Sequence, residues 1–301
     1  MLRLTLPGGG LTSLQLKAVA QIASELELEF SVLTPSRALN LPGLSAGQAA
    51  GLLPRLAEAG LSAQDLPAGC AGMESANGLW RIPDPDCVGV REQEQAGFFT
   101  IGVPVLTGKL SIGQMRKAAD VAERYADGKL RLTSRQNLLF LNVPKERVLQ
   151  MLEGLEPVDL RVAASVYRRG LTACAGGVGE RAGGLLDYLE KQVPLKEPLG
   201  IHFSVGGCNC EQVLGAEIGL RVAQIQGEDR MIDAYHLAVD GRSIPGLPDI
   251  PAGMIKYRLE NLLVHWKRDR ASGEPLREFC RRTGDEELAR LLSEEAAHPA
   301  A

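Results

Sequence analysis

The sequence predicts an α+β fold: two pseudo-twofold related βαββα half-repeats forming one sheet domain, followed by an α/β domain. Three observations carry that prediction. Residues 11–34 can be laid on residues 110–133 at a constant shift of 99 positions. Each copy reads as strand, helix, two short strands and helix from the spacing of its apolar residues. One such unit is too small for a good core, so pairing the two copies into one sheet is the economical solution.

The first half-repeat, residues 1–61, opens with a short apolar strand running into a glycine turn, Leu2–Gly10. A helix over about residues 12–26 follows, with Leu16, Val19, Ala20 and Ala23 at helical spacing and Thr12 or Ser13 as its N-cap. Short strands around Phe30–Thr34 and Ala38–Leu41 come next, then a helix over about 45–59. Residues 62–96 read as a linker. The second half-repeat, 97–160, keeps the order: strand and turn Phe98–Gly108, a Ser111-capped helix over 111–126, strands Leu130–Thr133 and Asn137–Asn142, and a helix over 145–154. Leu11 falls on Leu110, Gln15 on Gln114, Ala20 on Ala119, Ala23 on Ala122, and Leu33-Thr34 on Leu132-Thr133. Counting Pro35 as one extra residue brings Ser36-Arg37 onto Ser134-Arg135. In that alignment Arg37 and Arg135 are either solvated turn arginines or a symmetric pair of cations aimed at a bound polyanion, which the guanidinium fork suits.

Residues 161–292 form the last domain and 293–301 a frayed tail. Helices over about 252–269 and 275–282 turn Leu259, Leu262 and Leu263 inward and present Lys267, Arg268, Asp269 and Arg270 to solvent. In Ile201-His202-Phe203-Ser204-Val205, alternation sets His202 opposite Ile201 and Phe203, as a satisfied core histidine or a surface one. Trp80-Arg81-Ile82-Pro83 in the linker would cover a bound group or cap the repeat interface.

Composition narrows the function classes. A formal charge of −4 argues against a nucleic-acid binder, whose domains are usually basic. No apolar run approaches the roughly 20 residues that a membrane span needs. Met1-Leu2-Arg3-Leu4-Thr5-Leu6-Pro7 reads as a strand entering a turn rather than a signal peptide, so a cytoplasmic protein is expected. The six cysteines, at 70, 87, 174, 208, 210 and 280, sit in too long a chain for a secreted disulfide framework. Packed reduced thiols are one reading. The other rests on glycine-rich flanks, Thr172-Ala173-Cys174-Ala175-Gly176-Gly177 and Gly206-Gly207-Cys208-Asn209-Cys210, each before a helix-like run. Glycines let backbone N–H groups approach sulfur, as iron–sulfur sites require.

Taken in order, several motifs resemble one family. They are Arg3-Leu4-Thr5-Leu6-Pro7-Gly8-Gly9; Leu132-Thr133-Ser134-Arg135-Gln136, with Leu33-Thr34-Pro35-Ser36-Arg37 as a looser copy; Thr172-Ala173-Cys174; Gly207-Cys208-Asn209-Cys210 leading into Ala216-Glu217-Ile218-Gly219-Leu220; and Tyr235-His236-Leu237-Ala238-Val239-Asp240-Gly241. The resemblance is to the siroheme-containing sulfite and nitrite reductases, from residue 1 to about 292 apart from the linker. It implies that residues 161–292 hold a [4Fe–4S] cluster through cysteines, one of which also ligates the siroheme iron. Cys174, Cys208 and Cys210 are then the candidate ligands. Arg3, Arg37, Arg135, Gln136, Arg168, Arg169 and Asn209 are candidates to surround the tetrapyrrole and its carboxylates. The cofactor carries the hard chemistry, the six-electron reduction of a small oxyanion.

The sequence also departs from the family pattern. Glu180 stands where the second cysteine is expected, and an oxygen is a poor default for a thiolate site. The second cysteine pair is contracted to Cys208-Asn209-Cys210. The domain between the half-repeats is reduced to 62–96, whose Cys70 and Cys87 are possible replacement ligands. Thr5 stands where the motif has its second arginine. The leading expectation is a sulfite/nitrite reductase-like oxidoreductase or electron-transfer hemoprotein, working with an electron donor or partner subunit. A precorrin-modifying oxidoreductase, with a tetrapyrrole as substrate, is the variant in the same class. A non-enzymatic binding or assembly protein that keeps the fold is the alternative.

Overall fold

The computed structural model describes residues 1–34, 36–65, 88–162, 165–173, 179–196, 199–204, 216–227 and 229–293. Cys70, Trp80, Cys87, Cys174, Cys208, Asn209, Cys210 and the tail after residue 293 lie outside the described residues. Those described fall into two compact units, 1–162 and 165–293.

In the first unit the chain runs β1 (Leu2–Thr5), a 3-10 turn (Pro7–Gly9), β2 (Gly10–Thr12), α1 (Ser13–Glu25), β3 (Phe30–Leu33), β4 (Leu39–Leu41), α2 (Ala46–Glu58) and β5 (Ser62–Asp65). It resumes with β6 (Gly89–Glu92), β7 (Phe98–Pro104), a 3-10 turn (Leu106–Gly108), β8 (Lys109–Ser111), α3 (Ile112–Tyr125), β9 (Lys129–Leu132), β10 (Asn137–Pro144) and α4 (Val148–Leu155). The first three helices begin within a residue of where the sequence pattern puts them, while α4 starts at Val148 after a 3-10 turn at Lys145–Arg147. Thr12, Ser45 and Ser111 each form a reciprocal capping box with the glutamine three residues on, Gln15, Gln48 and Gln114.

The expectation of one sheet is corrected. The half-repeats build two five-stranded sheets, β5-β1-β4-β3-β8 and β2-β9-β10-β7-β6, and each gives one strand to the other. Gly10, Leu11 and Thr12 pair with Arg131, Leu130 and Lys129; Lys109, Leu110 and Ser111 pair with Val32, Ser31 and Phe30. Every residue of the second set is its counterpart in the first shifted by 99, so the exchange is reciprocal. The cause is the turn after the opening strand. Gly8 and Gly9 at φ +60° and +77°, and Thr107 and Gly108 at +54° and +71°, swing the next strand away from its own sheet. One continuous core therefore serves both copies, from Leu2, Leu4, Leu33 and Leu56 to Ile101, Leu110, Phe140 and Leu155. Ala20, Ala23, Ala118, Ala119 and Ala122 are fully buried where α1 packs on α3.

The ends of the expected linker are not linker. β5 pairs with β1 and β6 pairs with β7, so the 62–96 stretch supplies one edge strand of each sheet. Short apolar alternation is weak there (Ser62-Ala63-Gln64-Asp65), which is why pattern reading passes over it.

The second unit comprises α5 (Val166–Gly170), β11 (Leu171–Ala173), α6 (Gly179–Gln192), β12 (Ile201–Ser204), β13 (Ile218–Gln226), β14 (Met231–Val239), β15 (Arg242–Ser243) and β16 (Ile250–Pro251), then helices Ile255–Asp269, Leu276–Thr283 and Asp285–Ser293. The sheet order is β11-β12-β13-β14-β15, with β16 also on β14; the first three strands are parallel and the rest antiparallel. Leu185, Leu186 and Leu189 of α6 and Leu259, Leu262, Leu263 and Trp266 of the long closing helix are buried, as the expected apolar face requires. The helix Asp285–Ser293 adds to the two closing helices that the sequence pattern predicts; its Leu288, Leu291 and Leu292 complete a short apolar stripe. Among the described residues, no helix is long and apolar enough to cross a membrane.

Candidate functional site

Two places in the fold bear on the residues that the motifs single out. The first is the crossing of the half-repeats. After β3 and β9 the chain makes matching turns. Thr34 N–H donates to Ala38 O (2.9 Å) and Arg37 N–H to Thr34 O (2.9 Å); Thr133 N–H donates to Asn137 O (3.0 Å) and Gln136 N–H to Thr133 O (3.0 Å). Each threonine hydroxyl also accepts from the residue four positions on, Ala38 N–H (3.1 Å) and Asn137 N–H (3.0 Å).

These turns have the same length, so the extra residue assigned to Pro35 is corrected: the shift of 99 continues without a gap. Arg37, at φ +60°, is the counterpart of Gln136, at φ +59°, and Ser36 is the counterpart of Arg135. Arg37 and Arg135 are not a symmetric pair. Sequence identity at Ser-Arg misleads the alignment, whereas the left-handed backbone and the turn hydrogen bonds fix it.

The turns interlock across the repeats. Gln136 is fully buried and donates Nε2–H to Leu33 O at 2.6 Å and more weakly to Thr107 O at 3.5 Å. A Cβ on Gly108 would lie 2.3 Å from Leu33 O and 2.5 Å from Gln136 Nε2; a Cβ on Gly9 would lie 2.4 Å from Leu132 O and 3.1 Å from Arg37 Cβ. Both glycines are required by close approach and by positive φ. Arg37 is half-buried while its counterpart is wholly enclosed. Arg3 lies on β1 opposite Asn40, almost fully buried, with Nε 3.4 Å from Asn40 Oδ1. Arg131, which the motifs do not single out, donates Nε–H to Gly8 O at 3.1 Å from the exposed face of β9. Its signal is the alternation Lys129-Leu130-Arg131-Leu132, which puts Lys129 and Arg131 on one side.

The second place is the C-terminal end of the parallel strands. Ala173, the last residue of β11, pairs in register with Phe203 of β12, and β12 ends one residue later at Ser204. Cys174 follows β11 directly and the Gly206–Cys210 segment follows β12, so both cysteine-bearing segments begin at one end of adjacent strands. Parallel neighbours lie roughly 4.8 Å apart, and loops beyond their carboxyl ends are the usual ligand sites of open parallel sheets. At the opposite end, a Cβ on Gly170 would lie 1.8 Å from Leu199 O, so only glycine lets β11 start beside β12. Glu180 falls in the first turn of α6.

The remaining candidates are placed as follows. Arg168 donates Nε–H to Glu190 at 2.9 Å and Nη2–H to Asp187 at 2.5 Å, so its guanidinium is occupied by carboxylates of α6. Arg169 follows it on α5, half-buried. His202 is fully buried, with Nδ1 2.7 Å from Thr172 Oγ1 on the neighbouring strand, a satisfied core histidine. Cys280 is a packed thiol, and burial, with Asp240 adding to it, pushes it up to about 12. Among the described residues, no group of three His, Cys, Asp or Glu side chains is placed to hold a metal ion.

A duplicated, strand-exchanged unit followed by a sheet whose parallel strand ends lead into cysteine-bearing segments defines the class: an α+β protein built on ferredoxin-like half domains. The comparisons name it. The family model described as the nitrite/sulfite reductase ferredoxin-like half domain matches twice, at residues 1–59 and 91–158. Both half-repeats are thus similar to the ferredoxin-like half domains of nitrite and sulfite reductases. An assimilatory ferredoxin-dependent nitrite reductase of Haloferax mediterranei is 27% identical over 229 residues, covering 68% of this chain and 38% of the relative. A chloroplastic ferredoxin–nitrite reductase of Zea mays is 32% identical over 171 residues, covering 52% of this chain and 30% of the relative. The chain thus spans about a third of the length of these curated relatives. The structure of the Mycobacterium tuberculosis NirA protein matches the fold with a TM-score of 0.77 at 14% identity, over 95% of this chain and 84% of that one.

Proposed function

We propose that this chain is a reductase-type redox protein that binds siroheme and an iron–sulfur cluster and passes electrons to a small oxyanion. The observation that carries the reading is the register of β11 and β12, which starts the Cys174 and Cys208–Cys210 segments from one end of adjacent parallel strands. Thiolates are the donors that iron–sulfur clusters take, so the donor chemistry fits the group. Cys174, Cys208 and Cys210 would hold the cluster, with Cys70 or Cys87 replacing the ligand for which Glu180 stands.

Siroheme carries peripheral carboxylates and needs cations that are already ordered. Arg3 and Arg37 have constrained positions in the first half-repeat, and Arg131 and Arg135 lie in the second. We assign Arg3, Arg37 and Arg135 of the first unit to the carboxylates; Arg169 and Asn209 stand as further candidates from the sequence pattern. Gln136 supports them through its hydrogen bond to the Leu33 carbonyl rather than by direct contact. Arg168 would have to leave Asp187 and Glu190 to take part. When bound, the iron centres supply one-electron steps that no protein side chain provides. This chain's residues contribute ligation, charge neutralisation and orientation. The relatives' names include ferredoxin, which supports an electron-donor protein as partner.

Quantifying iron, labile sulfide and siroheme on protein purified without oxygen, from a host able to make siroheme, tests the reading. Both cofactors bound, with visible absorption from each, is the expected result. Cluster absorption without siroheme would restrict the role to electron transfer. A colourless folded protein that stays free of iron after reconstitution would overturn the reading and leave the binding or assembly role.

A further inference from the structure

A second constellation lies in the second unit, on residues that the redox reading does not use. His236 is on β14; Ser243 is on the two-residue strand β15 beside it; Asp249 immediately precedes β16, which also pairs with β14. His236 Nε2 is 2.7 Å from Ser243 Oγ, and His236 Nδ1 is 2.9 Å from Asp249 Oδ1. Ser243 is exposed, and the imidazole and the Asp249 carboxylate are part-buried.

We propose that Ser243, His236 and Asp249 form an activated serine site that accepts an acyl group from small activated carboxylic esters. The hydrogen bonds decide the tautomer of the neutral ring. A carboxylate accepts only, so Nδ1 must carry a proton toward Asp249. Nε2 then presents its lone pair to Ser243, whose hydroxyl donates. That is the arrangement a general base needs, with a nucleophile within reach on one side and an orienting group on the other. All three residues are fixed by the pairing of β14 with β15 and β16, and β15 lies at the sheet's end, where an electrophile can approach. Arg221 stands directly opposite His236 in the β13–β14 register, and Arg242 precedes Ser243 on β15, so two cations flank the constellation.

The step balances. Ser243 Oγ forms a bond to the acyl carbon, its proton passes to His236 Nε2, and the ester C–O bond breaks; the leaving alcohol then takes the proton from the imidazolium. Water reverses the sequence to release the acid. With an alkyl fluorophosphonate as probe, Oγ bonds to phosphorus and fluoride leaves.

The full chain is incubated with an alkyl fluorophosphonate and the modified peptide is identified by mass spectrometry. Labelling of Ser243 in the folded protein is expected. His236→Gln should slow it by about a hundredfold, the size of a general-base effect. Asp249→Asn should slow it by about tenfold or more, because an amide permits the wrong tautomer. Circular dichroism checks that each variant is folded. Absence of label on Ser243 in the wild type overturns the proposal, whatever the variants do. Labelling at an unchanged rate in folded His236→Gln also overturns it, because the serine would then react without its base.

Discussion

The two half-repeats have nearly the same backbone and different chemistry. Both place a left-handed residue at the turn after the third strand of the copy, both cap their first helix with a hydroxyl and a glutamine, and each lends a strand to the other. Yet where one copy has Arg37 the other has Gln136, and where one has Ser36 the other has Arg135. Arg3 faces Asn40, whereas the corresponding positions are Gly102 and Leu139. The difference teaches which features the fold requires. Glycine at 9 and 108, the turn threonines 34 and 133, and the caps recur because backbone geometry demands them. The cations Arg3, Arg37 and Arg135 do not recur, so the symmetric fold carries an asymmetric set of charges.

The largest effect should come from the shared geometry. Gly108→Ala and Gly9→Ala each force a Cβ against a carbonyl of the other repeat at positive φ. Each should cost about 3 kcal/mol or more, lowering Tm by about 6–12 °C in thermal unfolding. Gly8→Ala meets no atom within 4 Å, and its counterpart Thr107 already adopts φ +54°. Its cost should stay near 1 kcal/mol. Equal losses at Gly8 and Gly9 would break the account of the crossing.

Next comes the asymmetric pair. Gln136→Ala leaves the Leu33 carbonyl without its buried donor and should cost about 1–3 kcal/mol. Arg37→Ala, at the half-buried counterpart, should cost less than about 1 kcal/mol. Urea unfolding of the two variants measures the difference directly. A larger loss at Arg37 would assign the structural role to the wrong partner.

Smaller and symmetric effects belong to the caps. Thr12→Ala and Ser111→Ala should each cost about 1 kcal/mol in the same unfolding experiment, with values close to each other. The smallest effect concerns Lys17, whose ammonium is held up by hydrogen bonds to Glu123 and Asp120 across α1 and α3. The counterpart of Lys17 is Arg116, but those of the carboxylates are Ser24 and Gln21, so the pair exists once. Being exposed, it should be screened by salt, and Lys17→Gln should leave Tm unchanged in 1 M sodium chloride.

Much of the fold is legible in the amino-acid sequence alone. The order of elements, the capping residues and the duplication follow from apolar spacing and hydroxyl–glutamine pairs, which are local signals. The strand exchange is not legible, because it depends on where a glycine turn aims the next three residues. A three-residue strand carries too little pattern to announce its partner. The pairing of Arg37 with Arg135 fails for a related reason: identity in two letters outweighs the count of residues in the turn. For the site, the glycine-flanked cysteines point to the ends of β11 and β12. Buried Arg3 and interlocked Gln136 show their constraints only when the sheets are assembled, and Arg131 draws no notice because its motif is a two-residue alternation.

We propose that the asymmetric cations of the symmetric crossing hold the tetrapyrrole. Titrating siroheme into the wild type and into Arg37→Ala and Arg135→Ala, followed by its visible absorption, tests this most directly. Each lost charge-assisted contact is worth about 1.5–3 kcal/mol, so each variant should bind at least about tenfold more weakly while its Tm falls by no more than about 4 °C. Wild-type affinity in both folded variants would contradict the account.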